Sequence, residues 1–210
     1  MSCRRLALAV TALTLGVLGS HATAFAAGDA ARGKELSYTC LGCHGIEGYR
    51  NAYPDYSVPR LKGQSAAYIV AALKQYKSGE RTHPTMRVQG SALSDQDMED
   101  IAAYFSSLAT IKPGGNGSGT APAKVAELCR ACHGKDGVGT TGQFPTLAGQ
   151  HVDYLERSLV EYQRGERKNA IMATFAPRLT AEDIVQISEY YAQQQPGLET
   201  LPRTLTSFFK

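Results

Sequence analysis

Beyond its first 26 residues this 210-residue chain has no apolar run long enough to cross a bilayer. It has no concentrated basic face, which argues against a nucleic-acid partner. No segment alternates apolar and polar residues as a half-buried strand would. It also has no cysteine to spare. Of the five encoded, Cys3 sits in the leading segment, and Cys40, Cys43, Cys129 and Cys132 fall into two short motifs, so none remains for a structural disulfide.

The leading segment explains the one apolar run. Arg4 and Arg5 precede an apolar stretch from Leu6 to Gly19, and Ala24-Phe25-Ala26 supplies small residues at the spacing of a signal-peptidase site. This pattern predicts a secretory leader over 1–26, cleaved after Ala26, and an exported mature chain. A lipoprotein anchor fails because Cys3 precedes the apolar run. The formal net charge is +3; loss of Arg4 and Arg5 leaves 20 basic against 19 acidic residues, about +1.

What is present is repeated. Cys40-Leu41-Gly42-Cys43-His44 returns as Cys129-Arg130-Ala131-Cys132-His133. Gly63-Gln64, Tyr68, Tyr76, Gly79-Glu80-Arg81, Met86, Asp97 and Tyr104 return 86 residues later as Gly149-Gln150, Tyr154, Tyr162, Gly165-Glu166-Arg167, Met172, Asp183 and Tyr190. Pro59-Arg60-Leu61 matches Pro145-Thr146-Leu147. The Cys motifs are offset by 89, so the first half holds three extra residues within Gly48 to Ser57. A glycine-rich segment, 112–120, separates the copies and reads as a flexible or loosely draped linker. The division is therefore a leader (1–26), a first domain (27–111), the linker and a second domain with a tail (121–210).

The expected fold is all-α. Asp29 is placed to cap a helix running towards Cys40. Residues 65–76 show helical spacing, with Gly79 as the stop, and Ser94 with Asp97 forms a near capping box. The second half repeats this through Tyr154, Leu155, Leu159 and Tyr162, then Thr180 onwards. Met86 and Met172 read as lying in non-helical stretches after the Gly-Glu-Arg turns. The tail from Gln195 lies outside the repeat and reads as a frayed terminus, with partner docking as the alternative.

The C-x-x-C-H spacing carries chemistry. Two thiols about one helical turn apart suit addition across the two vinyl groups of a haem, and the histidine that follows is then placed as an axial iron ligand. Zinc would need ligands gathered from two separate domains, and a thioredoxin-like pair would need a βαβ context. Two covalently attached haem c groups per chain are expected, held by Cys40, Cys43, Cys129 and Cys132, with His44 and His133 as proximal ligands. Met86 and Met172 occupy equivalent positions and are the expected sixth ligands. Met98 exchanges with Ile184 and reads as core packing. His83 and His151 have counterparts Asn169 and Ser65 and read as solvated surface histidines.

Taken together, the motifs, the Pro-x-Leu segments, the Gly-Gln-x-x-x-Tyr helices, the Gly-Glu-Arg turns and the two methionine segments resemble the dihaem cytochrome c4 family, tandem class I cytochrome c domains. The resemblance implies that Pro59 and Pro145 offer backbone carbonyls to the haem histidines, and that Gly33 packs on Tyr104 or Phe105. Pro122 stands at the place matching Gly33 in the second half. It implies haems facing one another across the domain interface, with Tyr and Arg near the Gly-Glu-Arg turns as candidate partners for their propionates. It also implies a periplasmic carrier of electrons, loosely membrane-associated, between a donor such as a quinol-oxidising complex or dehydrogenase and an acceptor such as a terminal oxidase. No small-molecule substrate and no enzymatic turnover are expected. The alternatives are a haem subunit permanently docked on a dehydrogenase or oxidase, and an enzyme such as a dihaem peroxidase or a thiosulfate-oxidising cytochrome.

Overall fold

The computed structural model describes residues 28–115 and 117–201. The leader with its cleavage site after Ala26, and the tail beyond 201, lie outside the described residues. Among these the fold is helical, and the only extended pairings are isolated bridges.

In the first half Asp29 caps α1 (Ala30–Leu36), its carboxylate accepting from the Ala31 and Arg32 amides. The helix stops at Ser37, whose hydroxyl donates to the Gly33 carbonyl at 2.7 Å. The short α2 (Leu41–His44) carries the first Cys motif. Ser65 starts α3 (Ala66–Ser78), and Gly79 ends it at φ 83°, a left-handed conformation that glycine adopts without steric cost. After α4 (Pro84–Ser91), the reciprocal Ser94–Asp97 capping box opens α5 (Asp95–Ser107).

Ile69, Val70 and Leu73 of α3 pack on Met98, Ile101, Ala102 and Phe105 of α5. Met98 is fully buried among them, so its thioether is committed to the core. Helix α1 crosses α5 at Gly33, where a Cβ would overlap the Asp100 carbonyl and press on the Tyr104 Cβ. The glycine contact therefore falls on Asp100 and Tyr104. Asp100 is 1% exposed and accepts from the Asp29 amide and from Gln96 Nε2, both at 2.8 Å. Arg32 pairs with both Asp97 and Asp100.

In the second half a π-helical stretch, Val125–Cys129, runs into α6 (Arg130–His133), which carries the second Cys motif. Helix α7 (Val152–Arg164) ends at Gly165, φ 69°. Helix α8 (Met172–Phe175) is one turn long and continues as a 3₁₀ turn. A Thr180–Asp183 capping box opens α9 (Ala181–Ala192). Val125, Leu155, Ile184, Ile187 and Tyr191 form this core.

Several expectations are corrected. Met86 and Met172 lie in helices, not in irregular loops. The reason is local. His83 Nδ1 accepts from the Met86 amide with Pro84 at the first helical position, and Asn169 Oδ1 accepts from the Met172 amide at 3.0 Å. His83 is accordingly not a solvated surface residue: it caps α4, and its buried Nε2 has no partner among the described residues. His151 is half-buried at the start of α7. The glycine-rich segment is draped on the second half, where Gly114 N donates to Asp136 and Gln194 Nε2 donates to the Ser118 carbonyl.

The start of the tail is not frayed. Leu198 is 2% exposed, its amide donates to the Ala148 carbonyl, and Glu199 exchanges backbone bonds with Lys62. Residues 197–201 thus strap the two halves together. The three-residue insert has a place as well. Arg50 and Ser57 pair across it, and both donate to the Asp153 carboxylate of the second half.

Candidate functional site

Each Cys motif opens onto a cavity. In the first half Cys40, Cys43 and His44 line a cavity of about 180 Å³ together with Met86, Leu73, Ile101 and Phe105. In the second, Cys129, Cys132 and His133 line one of about 450 Å³ with Met172, Leu159, Phe175 and Ile187. The helix turn within each motif puts both thiols and the following imidazole on one side of the chain. The segments carrying Met86 and Met172 close each cavity from α4 and α8.

The histidines are oriented alike. His44 Nδ1 lies 2.8 Å from the Pro59 carbonyl oxygen, and His133 Nδ1 lies 3.1 Å from that of Pro145. A carbonyl only accepts, so Nδ1 carries the proton and Nε2 is left with a free lone pair. Burial pushes both imidazoles below their ordinary pKa, with the carbonyl bond opposing it. Both are thus neutral near pH 7, the form that binds a metal. Burial pushes the Cys40 thiol up and the Cys129 thiol to about 11.

The two cavities back onto one another through a wall that includes Tyr68, Arg81, Tyr154 and Leu155. Arg81 and Arg167 are 4% and 5% exposed and meet at an antiparallel bridge, yet among the described residues neither has a carboxylate partner. Tyr68 accepts from both, at 3.3 Å from Arg81 and 2.7 Å from Arg167. The rings of Tyr76 and Tyr162 lie under the two guanidiniums. Burial raises the Tyr68 phenol, but the two cations outweigh it and hold its pKa at about 8. Arg167 Nε is buried with no acceptor among the described residues.

Two adjacent buried cations are costly without anions to neutralise them. Haem propionates are the carboxylates that fit this wall. The apolar lining, the paired thiols, the neutral imidazoles and these unneutralised donors all suit a haem in each cavity.

The structure thus gathers Cys40, Cys43, His44, Pro59 and Met86 at one site and Cys129, Cys132, His133, Pro145 and Met172 at the other. Sequence reasoning missed His83 and Asn169 as caps on the methionine helices. Their shared property is an acceptor side chain three residues before each methionine.

Comparison with known proteins agrees with this geometry. Residues 30–109 match the family model "Cytochrome c", and residues 120–190 match "Cytochrome C oxidase, cbb3-type, subunit III". The chain is 39% identical to cytochrome c4 of Pseudomonas aeruginosa over 85% of its own length and 93% of that protein. It is 32% identical to the thiosulfate dehydrogenase electron acceptor of Stutzerimonas stutzeri, over 73% of this chain and 77% of that one. The solved structure of reduced recombinant cytochrome c4 from Pseudomonas stutzeri superposes with a TM-score of 0.65 at 32% identity, covering 80% of this chain and all of that one. With two haem-attachment motifs inside two tandem cytochrome c domains, the chain binds two haem c groups covalently and belongs to the cytochrome c4 family of dihaem electron-transfer proteins.

Proposed function

We propose that this protein is a periplasmic carrier that moves electrons by outer-sphere transfer and performs no substrate chemistry. The observation that carries the reading is the pairing in each cavity of one C-x-x-C-H histidine with one methionine, His44 with Met86 and His133 with Met172. We assign these as axial ligands, and Cys40, Cys43, Cys129 and Cys132 as the thioether residues. The leader 1–26 exports the chain, and the domains 27–111 and 121–210 are joined through 112–120.

A bound haem c supplies a one-electron iron couple. The chain's residues do the rest. Pro59 and Pro145 hold the imidazoles in the tautomer that presents Nε2. The Met86 and Met172 side chains would hold the iron together with these histidines, and a site held by both would be closed to substrate or peroxide. Arg81, Arg167 and Tyr68 offer donors to propionates at the shared wall.

The relative named a thiosulfate dehydrogenase electron acceptor supports a dehydrogenase as donor; a quinol-oxidising complex fits the same role, and a terminal oxidase fits as acceptor. No helix among the described residues is long and apolar enough to cross a membrane, so membrane contact would be peripheral.

The optical spectrum of the oxidised protein tests the ligand set. A sulfur–iron band at the red end, titrating as two equivalents per chain, is expected; a high-spin band overturns the closed-site carrier. A second reading, a haem subunit held permanently on an oxidase or dehydrogenase, is favoured by the match of 120–190 to an oxidase-subunit model. Survival of a stoichiometric complex through high-salt purification would select it.

A further inference from the structure

We propose that Gln64 and Gln150 are positioning residues that act across the domain interface, each setting the electron density on the axial histidine of the opposite half. The inference rests on the assignment of His44 and His133 as axial ligands.

The peptide joining Pro59 to Arg60 is trans, so its carbonyl and its N–H point to opposite sides. The carbonyl accepts from His44 Nδ1 at 2.8 Å, within its own half. The N–H of the same peptide donates to Gln150 Oε1 of the other half at 2.9 Å. The arrangement is reciprocal. The Pro145 carbonyl accepts from His133 Nδ1, and the Thr146 N–H donates to Gln64 Oε1 at 2.9 Å.

The orientation of each amide is fixed by its other end. Gln150 Nε2 donates to the Arg60 carbonyl at 3.1 Å, and Gln64 Nε2 donates to that of Thr146 at 2.9 Å. A flipped amide would set donor against donor and acceptor against acceptor at both ends. Each Oε1 also accepts from the amide that follows it, Ser65 N or His151 N. Both glutamines are 3% exposed, so water does not compete for these bonds.

A peptide whose N–H is engaged has a more negative carbonyl oxygen, and hydrogen bonds in such a chain strengthen one another in a low-dielectric setting. A stronger acceptor draws the Nδ1 proton further from the ring and makes Nε2 a better electron donor to a metal. Each glutamine therefore favours the oxidised state of the iron in the half to which it does not belong. A glutamine that merely held the halves together could have bonded to any part of the opposite surface. Both bond to the one peptide that supports the histidine.

The test uses the full-length dihaem protein and the variants Gln150→Leu and Gln64→Leu. Spectroelectrochemistry gives the two potentials, and a Met86→His variant identifies the first-half signal. Gln150→Leu is expected to raise the first-half potential selectively. The change is about a threefold larger reduced-to-oxidised ratio at fixed applied potential, or about 28 mV at about 59 mV per decade. Gln64→Leu is expected to raise the second. The ¹⁵N shift of His44 Nδ1 in the reduced protein should move in Gln150→Leu and stay put in Gln64→Leu.

If leucine loosens the fold, Gln150→Met, close to glutamine in shape and without the acceptor, should still raise the first-half potential alone. Equal shifts of both potentials in every variant, shifts in the variant's own half, or no shift at all overturn the proposal. A wild-type spectrum that keeps two low-spin His/Met sites while the crossed shifts are missing sinks this inference alone. A wild-type spectrum without them sinks the ligand assignment as well.

Discussion

The two halves hold equivalent iron-ligand candidates on scaffolds that are built differently. The first half locks α1 to α5 with a glycine contact at Gly33, a buried Asp100 and a shared arginine, Arg32. The second half has none of these. Pro122 stands where Gly33 would, exposed Gln186 replaces Asp100, and a π-helical stretch leads into the motif. Met86 sits in an eight-residue helix capped by His83, and Met172 in a single turn capped by Asn169. What survives in both halves is the set that touches the cavity or supports its histidine, together with turn and cap residues such as Gly79 and Gly165 or Asp97 and Asp183. The cofactor constrains those positions, while helix packing can be solved in more than one way.

The largest expected effect breaks the comparison at its most unequal point. Gly33→Leu would drive a side chain into the Asp100 carbonyl, at a cost of about 3 kcal/mol or more. Pro122→Leu in the second half should cost less than about 0.5 kcal/mol. Calorimetry of the holoprotein should therefore resolve a lowered first-half transition only in the glycine variant. Equal losses in both would show that the π-helical stretch is packed as tightly as α1.

Acid should separate the halves next. The Ser94 cap and Arg32 hold the Asp97 carboxyl at about 2, and hydrogen bonds from Asp29 N and Gln96 hold Asp100 below its ordinary value. Carboxyls depressed in the folded state add stability that is fully present above their unfolded pKa, about 4. That stability is lost as pH falls from about 4 through 2. The first half should lose about 1–2 kcal/mol over this range beyond what the second loses, after allowing for solvent screening. In the second half Asp183 is held down through its Thr180 cap, and Asp153 is held down, against its burial, by bonds from Ser57 and Arg50 of the first half. Asp100→Asn should remove most of the difference in acid-unfolding curves.

The smallest effect sharpens the comparison at the methionines. His83→Ala and Asn169→Ala should each cost about 1 kcal/mol by leaving an N-terminal amide uncapped. The consequence should be greater for Met172, because its helix is a single turn and the Asn169 side chain accepts from both the Ile171 and Met172 amides. Exchange of the sixth ligand for added imidazole should accelerate more in Asn169→Ala than in His83→Ala. The reverse order would mean that the 3₁₀ continuation, Ala176–Arg178, steadies α8.

Much of this was legible in the sequence, for reasons that can be named. The four longest helices announce themselves through Ser65, Ser94 and Thr180 at their starts and through Gly79 and Gly165 at the ends of α3 and α7. Both haem-attachment motifs are local, so spacing alone reveals them. The methionine helices escape a reading by periodicity because they are short: α4 has eight residues, opened by Pro84 at its first position, and α8 is a single turn. His83 was set aside because its counterpart is asparagine, although both residues can cap. The strap at 197–201 and the insert's grip on Asp153 depend on surfaces created only when the halves meet. The Gly-Gln pair repeats visibly, but its target is the other half's backbone, and no periodicity within one copy points there.

The facing arginines at the shared wall bear on how the molecule is assembled. A chain that closed its interface before receiving cofactors would bury two like charges side by side. Carboxylates arriving with each cofactor remove that penalty, so loading and closure are thermodynamically linked. The loaded sites and the closed interface thereby stabilise one another. A chain loaded at neither site would bury both charges uncompensated at its centre, and so would open more readily than the dihaem form.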